Sequence, residues 1–134
     1  MTVGLHAVNL ANKILNHVRG SGTAAGAAFT QPTNLYAALH LADPGGAGTT
    51  SPSVVTTRSQ VVFAAAASGS MALTGTNPSW AMTTTETISH ISIWDASTAG
   101  NFLRSYALTA SRAVVNGDTL TLNSLTFDFT PIAS

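Results

Sequence analysis

"SHISIWDASTAGNFLRSYAL", Ser89–Leu108, is the stretch on which the fold turns. Ile91 and Ile93 share one face of an extended chain with Ser89, and Ile88, His90 and Trp94 take the other. This two-residue alternation is the mark of a half-buried strand. "DASTAGN", Asp95–Asn101, interrupts it with residues that favour turns. Alternation then resumes, with Phe102, Arg104 and Tyr106 opposite Leu103, Ser105 and Leu108. The parity slips near Ala107, which predicts a β-bulge. Two alternating runs around such a turn read as a β-hairpin, with Trp94 as its packing anchor and Asp95 as its turn former.

Upstream, "NLYAALHLA" sets Leu35, Ala37, Leu39 and Leu41 against Tyr36, Ala38 and His40, and reads as a strand. "DPGGAGTTSPS", Asp43–Ser53, reads as a long flexible loop. "VVTTRSQVVFAAA" holds one strand or two short ones, "SGSMALTG" another, and "PSWAMTT" a short segment centred on Trp80. Downstream, Asn116-Gly117 is a tight-turn signal between β-branched runs. "LTFDFT", Leu125–Thr130, alternates cleanly as a last strand.

The N-terminal segment follows a different period. Val3, Ala7, Leu10, Ala11, Ile14, Leu15 and Val18 recur every three or four residues, as on an amphipathic helix. Thr2 is the expected N-cap and Gly20 the expected stop, giving a helix over 3–19. Its stripe is expected to pack on its own domain rather than dock on a neighbour. Residues 20–33 read as a connector and 34–130 as the β-region. The expectation is one domain over 1–134: an antiparallel β-sandwich or barrel of about seven or eight strands, preceded by one amphipathic helix.

Composition narrows the function. Of the 134 residues only 7% are charged, and the formal net charge is zero. Soluble domains carry about 25%. An uncharged surface favours association, which suits a protein held in an assembly. A single Lys and dispersed Arg residues argue against nucleic acid. No apolar run approaches the ~20 residues of a membrane span, and the first residues lack the pattern of a signal peptide. The absence of Cys excludes disulfides and thiolate chemistry.

The chemistry-bearing residues have plain structural explanations. His6 and His17 lie about 16 Å apart along the predicted helix, too far to share an ion. His40 and His90 sit mid-strand and meet only if those strands pair. No HExxH or carboxylate spacing supports a metal. No G-x-S-x-G elbow marks a nucleophile. Asp43, Asp95 and Asp118 open or close turns, and Asp128 sits mid-strand facing solvent; only Glu86 lacks an obvious duty. No catalytic, metal or cofactor residue is therefore assigned. Trp80 and Tyr106 are the candidate glycan contacts, although aromatics in a half-buried sheet more often fill the core.

Three segments carry a resemblance: "NKILNHVRG" (Asn12–Gly20), "NLYAALHLADPG" (Asn34–Gly45) and "ISHISIWDASTAGNFLRSYAL" (Ile88–Leu108). "NGDTLTLNSLTFDF" follows as a closing strand pair. In this order they resemble small virion proteins of tailed bacteriophages, commonly labelled tail fibre or minor tail proteins. The resemblance implies a non-enzymatic structural component on the surface of the phage particle, without cofactor. Its partners would be other tail or capsid proteins and further copies of itself, as trimers or about another axis. Capsid decoration and host-glycan recognition are the alternative roles.

Overall fold

The computed structural model describes residues 3–18 and 30–129. Thr2, Arg19, Gly20 and most of the 20–33 connector lie outside them. The elements are a π-helical turn Ala7–Ala11 running into α1 (Asn12–Val18), then β1 (Leu35–His40), β2 (Ser59–Val61), β3 (Ser70–Ala72), β4 (Ser79–Ala81), β5 (Glu86–Trp94), β6 (Phe102–Val114), β7 (Thr119–Thr121) and β8 (Thr126–Asp128). All pairings are antiparallel. The predicted mainly-β fold with one N-terminal helix is the observed one.

A four-stranded sheet in the order β2-β1-β5-β6 forms the body, with two-stranded ribbons β3–β8 and β4–β7. The chain beyond β2 continues into β3 through a Phe63–Leu73 bridge. Thr74 N–H donates to Val62 O at 2.8 Å and Ala64 N–H to Ala72 O at 2.9 Å there. The β8 end comes back to β6, where the Arg104 guanidinium donates to Asp128 O at 3.3 Å. The architecture is thus a sheet curling toward closure. One apolar cluster fills it: Ala37 and Leu39 from β1, Val61, Trp80, Met82, Ile88, Ile91 and Ile93 from β5, Val114 and Leu125.

The β5–β6 hairpin stands where the sequence puts it, and its bulge explains a misread face. The register shifts between Ile88 and His90, where the partner jumps from Arg112 to Ala107. The slip resets the alternation, so Ile88 joins Ile91 in the core rather than facing away from it. The Asn116-Gly117 turn forms, with Gly117 at φ +95° and Asp118 N–H donating to Val115 O at 3.1 Å. It does not close a hairpin. Gly117 N–H bonds to Met82 O at 2.9 Å and Met82 N–H to Asp118 O at 2.8 Å, drawing β7 onto β4 instead of β6. For the same reason β7 and β8 are not a closing pair; each belongs to a different ribbon.

The Asp43–Ser53 loop is pinned rather than flexible. Ser53 N–H donates to Leu39 O at 3.0 Å, Leu41 N–H to Ser51 O at 2.9 Å and Thr50 N–H to Pro44 O at 2.9 Å. Gly45 and Gly48, both at φ +73°, supply the left-handed backbone that folds it back on the sheet. A Cβ on Gly48 would lie 2.5 Å from the Phe102 ring, so the loop seats directly on that side chain.

The helix starts later than its apolar period implies. Val3–His6 is not helical: Leu5 bridges Arg104, His6 N–H donates to Leu103 O at 2.7 Å, and Ser105 N–H to Gly4 O at 2.9 Å. Unpaired β6 backbone there is a stronger claim on these residues than another helical turn. His6 is the N-cap, its Nδ1 accepting from Asn9 N–H at 3.0 Å. The π turn follows, with Ala11 N–H reaching His6 O at 3.0 Å. Self-packing holds for one side only. Leu10 is buried, whereas Val8, Leu15 and Val18 are 65%, 65% and 77% exposed.

Candidate functional site

The outer face of β1 and β5 carries the densest polar cluster. His40 and His90 are cross-strand partners. The His40 ring reaches Thr50 O with Nδ1 at 2.9 Å and the Ser92 hydroxyl with Nε2 at 2.7 Å. A carbonyl can only accept, so Nδ1 carries the proton and Nε2 accepts from Ser92 Oγ. Trp94 Nε1–H donates to the same Ser92 oxygen at 2.8 Å. Burial pushes His40 below the usual imidazole range; the Thr50 bond opposes this, and His90 and Arg58 add to it.

A neutral His accepting a Ser hydroxyl is also half of a nucleophilic relay. Here the orienting group is a backbone carbonyl, not a carboxylate. Ser92 is 0% and His40 2% exposed. A substrate carbonyl has no room to approach within ~3 Å of the hydroxyl. What this arrangement does is satisfy three polar groups that the loop and sheet bury together.

The surrounding residues hold the hairpin end. Arg58 stacks over the Trp94 ring at 3.8 Å. Its guanidinium donates to Ala96 O at 2.8 Å and Ala99 O at 2.6 Å, clamping the turn. Asp95 accepts from Asn101 N–H at 2.6 Å and from the Asn101 amide at 2.8 Å, as expected of a turn former. Phe102 meets Trp94 at 5.6 Å between ring centroids.

The other carboxylates are engaged too. Asp43 accepts from Gly45 N–H at 2.8 Å and Asp118 from Val115 N–H at 2.9 Å, both turn roles. Glu86 accepts from the Ser53 hydroxyl and from Val54 N–H, tying the loop's end to β5. Sequence gave no signal for this, because the partners lie on a loop brought over by tertiary folding. Asp128, expected to face solvent, lies 3.8 Å from Arg104 with its side chain 41% exposed. Among the described residues no group of three or more His, Asp or Glu side chains could hold a metal ion. No described helix is long and apolar enough to cross a membrane.

Trp80 and Tyr106, the candidate glycan contacts, line one surface depression of about 510 Å³ between β6 and residues 120–126. Trp80 is only 4% exposed, and its indole N–H is already donated to Thr57 O at 3.0 Å. It serves the core at the floor of the depression. Tyr106 is half-buried, with Arg104 over its ring at 4.5 Å and Phe127 edge-on at 6.5 Å. Burial pushes the Tyr106 hydroxyl well above the usual phenol range, opposed by Arg104 and reinforced by Asp128. Its oxygen and Arg104 Nε are buried without a hydrogen-bond partner among the described residues.

The His40, Arg58 and Glu86 clusters are thus committed to holding loops on the sheet. No curated protein matches this chain. The family model described as Podophage GP4 fiber I protein gp80 matches residues 7–130, from the π turn through the last strand. The chain belongs to that tailed-phage fibre family and is a structural component of the virion.

Proposed function

We propose that the protein is a non-enzymatic building block exposed on the phage tail, as a fibre or minor tail component, held there by other virion proteins and by further copies of itself. The family match over residues 7–130 carries this reading. The low charge supports it physically. Surfaces with few ionised groups lose little hydration when a neighbour covers them. The site supports it too, since each described carboxylate is engaged in folding the chain rather than aimed at a cavity.

Particles grown without this protein test the reading against capsid decoration. Filled, stable heads with missing tail-fibre density are the expected phenotype. Fragile or leaking heads with intact tails would overturn it in favour of a shell-reinforcing role.

A further inference from the structure

Asn116 is the only Asn of the chain followed by Gly. The residue after an Asn ordinarily shields its own backbone nitrogen with a side chain, and Gly117 has none. The Gly117 nitrogen and the Asn116 side-chain carbon Cγ are therefore two ends of a five-membered ring that can close.

The turn presents these two groups unequally. Asp118 N–H donates to Val115 O at 3.1 Å, Gly117 has φ +95°, and Asn116 stays outside the left-handed region, which makes Val115–Asp118 a type II turn. Asn116 and Gly117 are exposed, and a Cβ on Gly117 would meet nothing within 4 Å, so solvent reaches the turn. The Asn116 carboxamide makes no hydrogen bond among the described residues, which leaves the electrophile untethered. The nucleophile is tethered. Gly117 N–H donates to Met82 O at 2.9 Å, and Met82 N–H returns to Asp118 O at 2.8 Å. Met82 is 2% exposed and belongs to the core cluster. The Gly117 nitrogen cannot lose its proton and swing onto Asn116 Cγ while that bond stands.

We propose that Asn116 is a spontaneous deamidation site, held slow by the Met82 pairing and released when the β4–β7 ribbon opens. Base in the solvent takes the Gly117 N–H proton. The nitrogen attacks Asn116 Cγ, a new C–N bond forms, and the side-chain nitrogen leaves with a proton from solvent as ammonia. Water then opens the cyclic imide at either carbonyl, leaving an aspartyl or an isoaspartyl linkage. Both products add a negative charge to a chain whose formal net charge is zero. The isoaspartyl product also adds a backbone carbon ahead of Gly117, which takes its N–H out of register with Met82 O. A virion does not replace its proteins, so the change accumulates as the particle ages.

The test is peptide mapping by mass spectrometry of the full chain held at mildly alkaline pH, folded in buffer and unfolded in guanidinium chloride. In the unfolded chain residue 116 is expected to be the first Asn modified, ahead of exposed Asn123. In the folded chain it is expected to react about tenfold or more slowly, because local opening must come first. Asn116→Gln lengthens the side chain past the favoured ring size and is expected to abolish the charge gain in both states. Equal rates in the folded and unfolded chains overturn the gate. Modification of Asn123 ahead of residue 116 in the unfolded chain overturns the site, as does a charge gain that survives Asn116→Gln.

Leu120→Ala separates gating from simple exposure. Leu120 sits opposite Trp80 in the β4–β7 register, so the substitution loosens the ribbon without touching the turn. It is expected to speed hydrogen exchange at Gly117 and deamidation at residue 116 together in the folded chain, and to leave the unfolded rate unchanged. Thr121→Gly, on the exposed side of the same strand, replaces it if that variant does not fold. Faster exchange at Gly117 with no faster deamidation overturns the proposal.

Discussion

Ser92→Ala removes one oxygen from the centre of the His40 cluster and leaves the apolar packing nearly unchanged. Two buried groups lose their partner: His40 Nε2, which accepts at 2.7 Å, and Trp94 Nε1–H, which donates at 2.8 Å. Neither gains water, because His40 is 2% and Trp94 8% exposed. A buried polar group left unpaired costs about 1–3 kcal/mol. For two groups sharing one site the expected loss is about 2–5 kcal/mol. At about 3–5 °C per kcal/mol for a chain of this length, Tm falls by roughly 6–25 °C. Urea denaturation followed by tryptophan fluorescence and by circular dichroism measures it, with an unchanged m-value confirming an intact fold. Ser89→Ala is the control. Ser89 donates to Leu41 O and contacts His90, but at a more exposed place that water can reach. Its loss is expected below about 1 kcal/mol. Equal effects of the two substitutions, or a Ser92→Ala change under about 0.5 kcal/mol, would refute the assignment of this cluster to stability.

Three further outcomes follow from the same contacts. His40 is held below its ordinary value of 6.5, so the unfolded chain takes up a proton before the folded one does as pH falls past that point. Stability is expected to drop on acidification below pH ~6.5, by at most about 1.4 kcal/mol per pH unit, in denaturation curves at pH 7.5 and 5.5; a rise contradicts it. Gly48→Ala is expected to cost about 1–3 kcal/mol, because its Cβ would meet the Phe102 ring at 2.5 Å from a backbone at φ +73°. A neutral effect in thermal melts would show that the loop lifts off easily. Trp80→Ala is expected to lose about 3–5 kcal/mol as a core deletion. A stable Trp80→Ala protein that loses binding on a glycan array would support the sugar-contact role instead.

The hairpin was legible because its evidence is local. Alternation, the Asp95–Asn101 turn and the Trp94 anchor all lie within one short stretch, and the structure keeps each of them. The pairing of β7 with β4 was not legible, since Asn116-Gly117 reads the same whether or not its flanking strands stay together. Two hydrogen bonds to Met82 decide that outcome, and Met82 carries no mark of it. The helix start was hidden in the same way. Val3 fits the helical period, but the β6 edge claims the residues that follow it, with Gly4 bonded to Ser105 and His6 to Leu103.

The candidate site divides along the same line. Turn carboxylates announce themselves by neighbouring Gly and Asn, so Asp43, Asp95 and Asp118 were readable. Glu86 and the His40–Ser92–Trp94 cluster depend on a loop folding over the sheet, and periodicity contains no trace of that. Trp80 is ambiguous in the sequence for a different reason. An aromatic between Ser79 and Ala81 suits a sugar platform as well as a core plug, and in the structure it is buried.

Labelling the protein on intact, purified phage particles and imaging them tests the central claim most directly. Label confined to the tail, with heads bare, is the result expected of a structural fibre component. Label spread over the heads, or particles that contain none of this polypeptide, would contradict it.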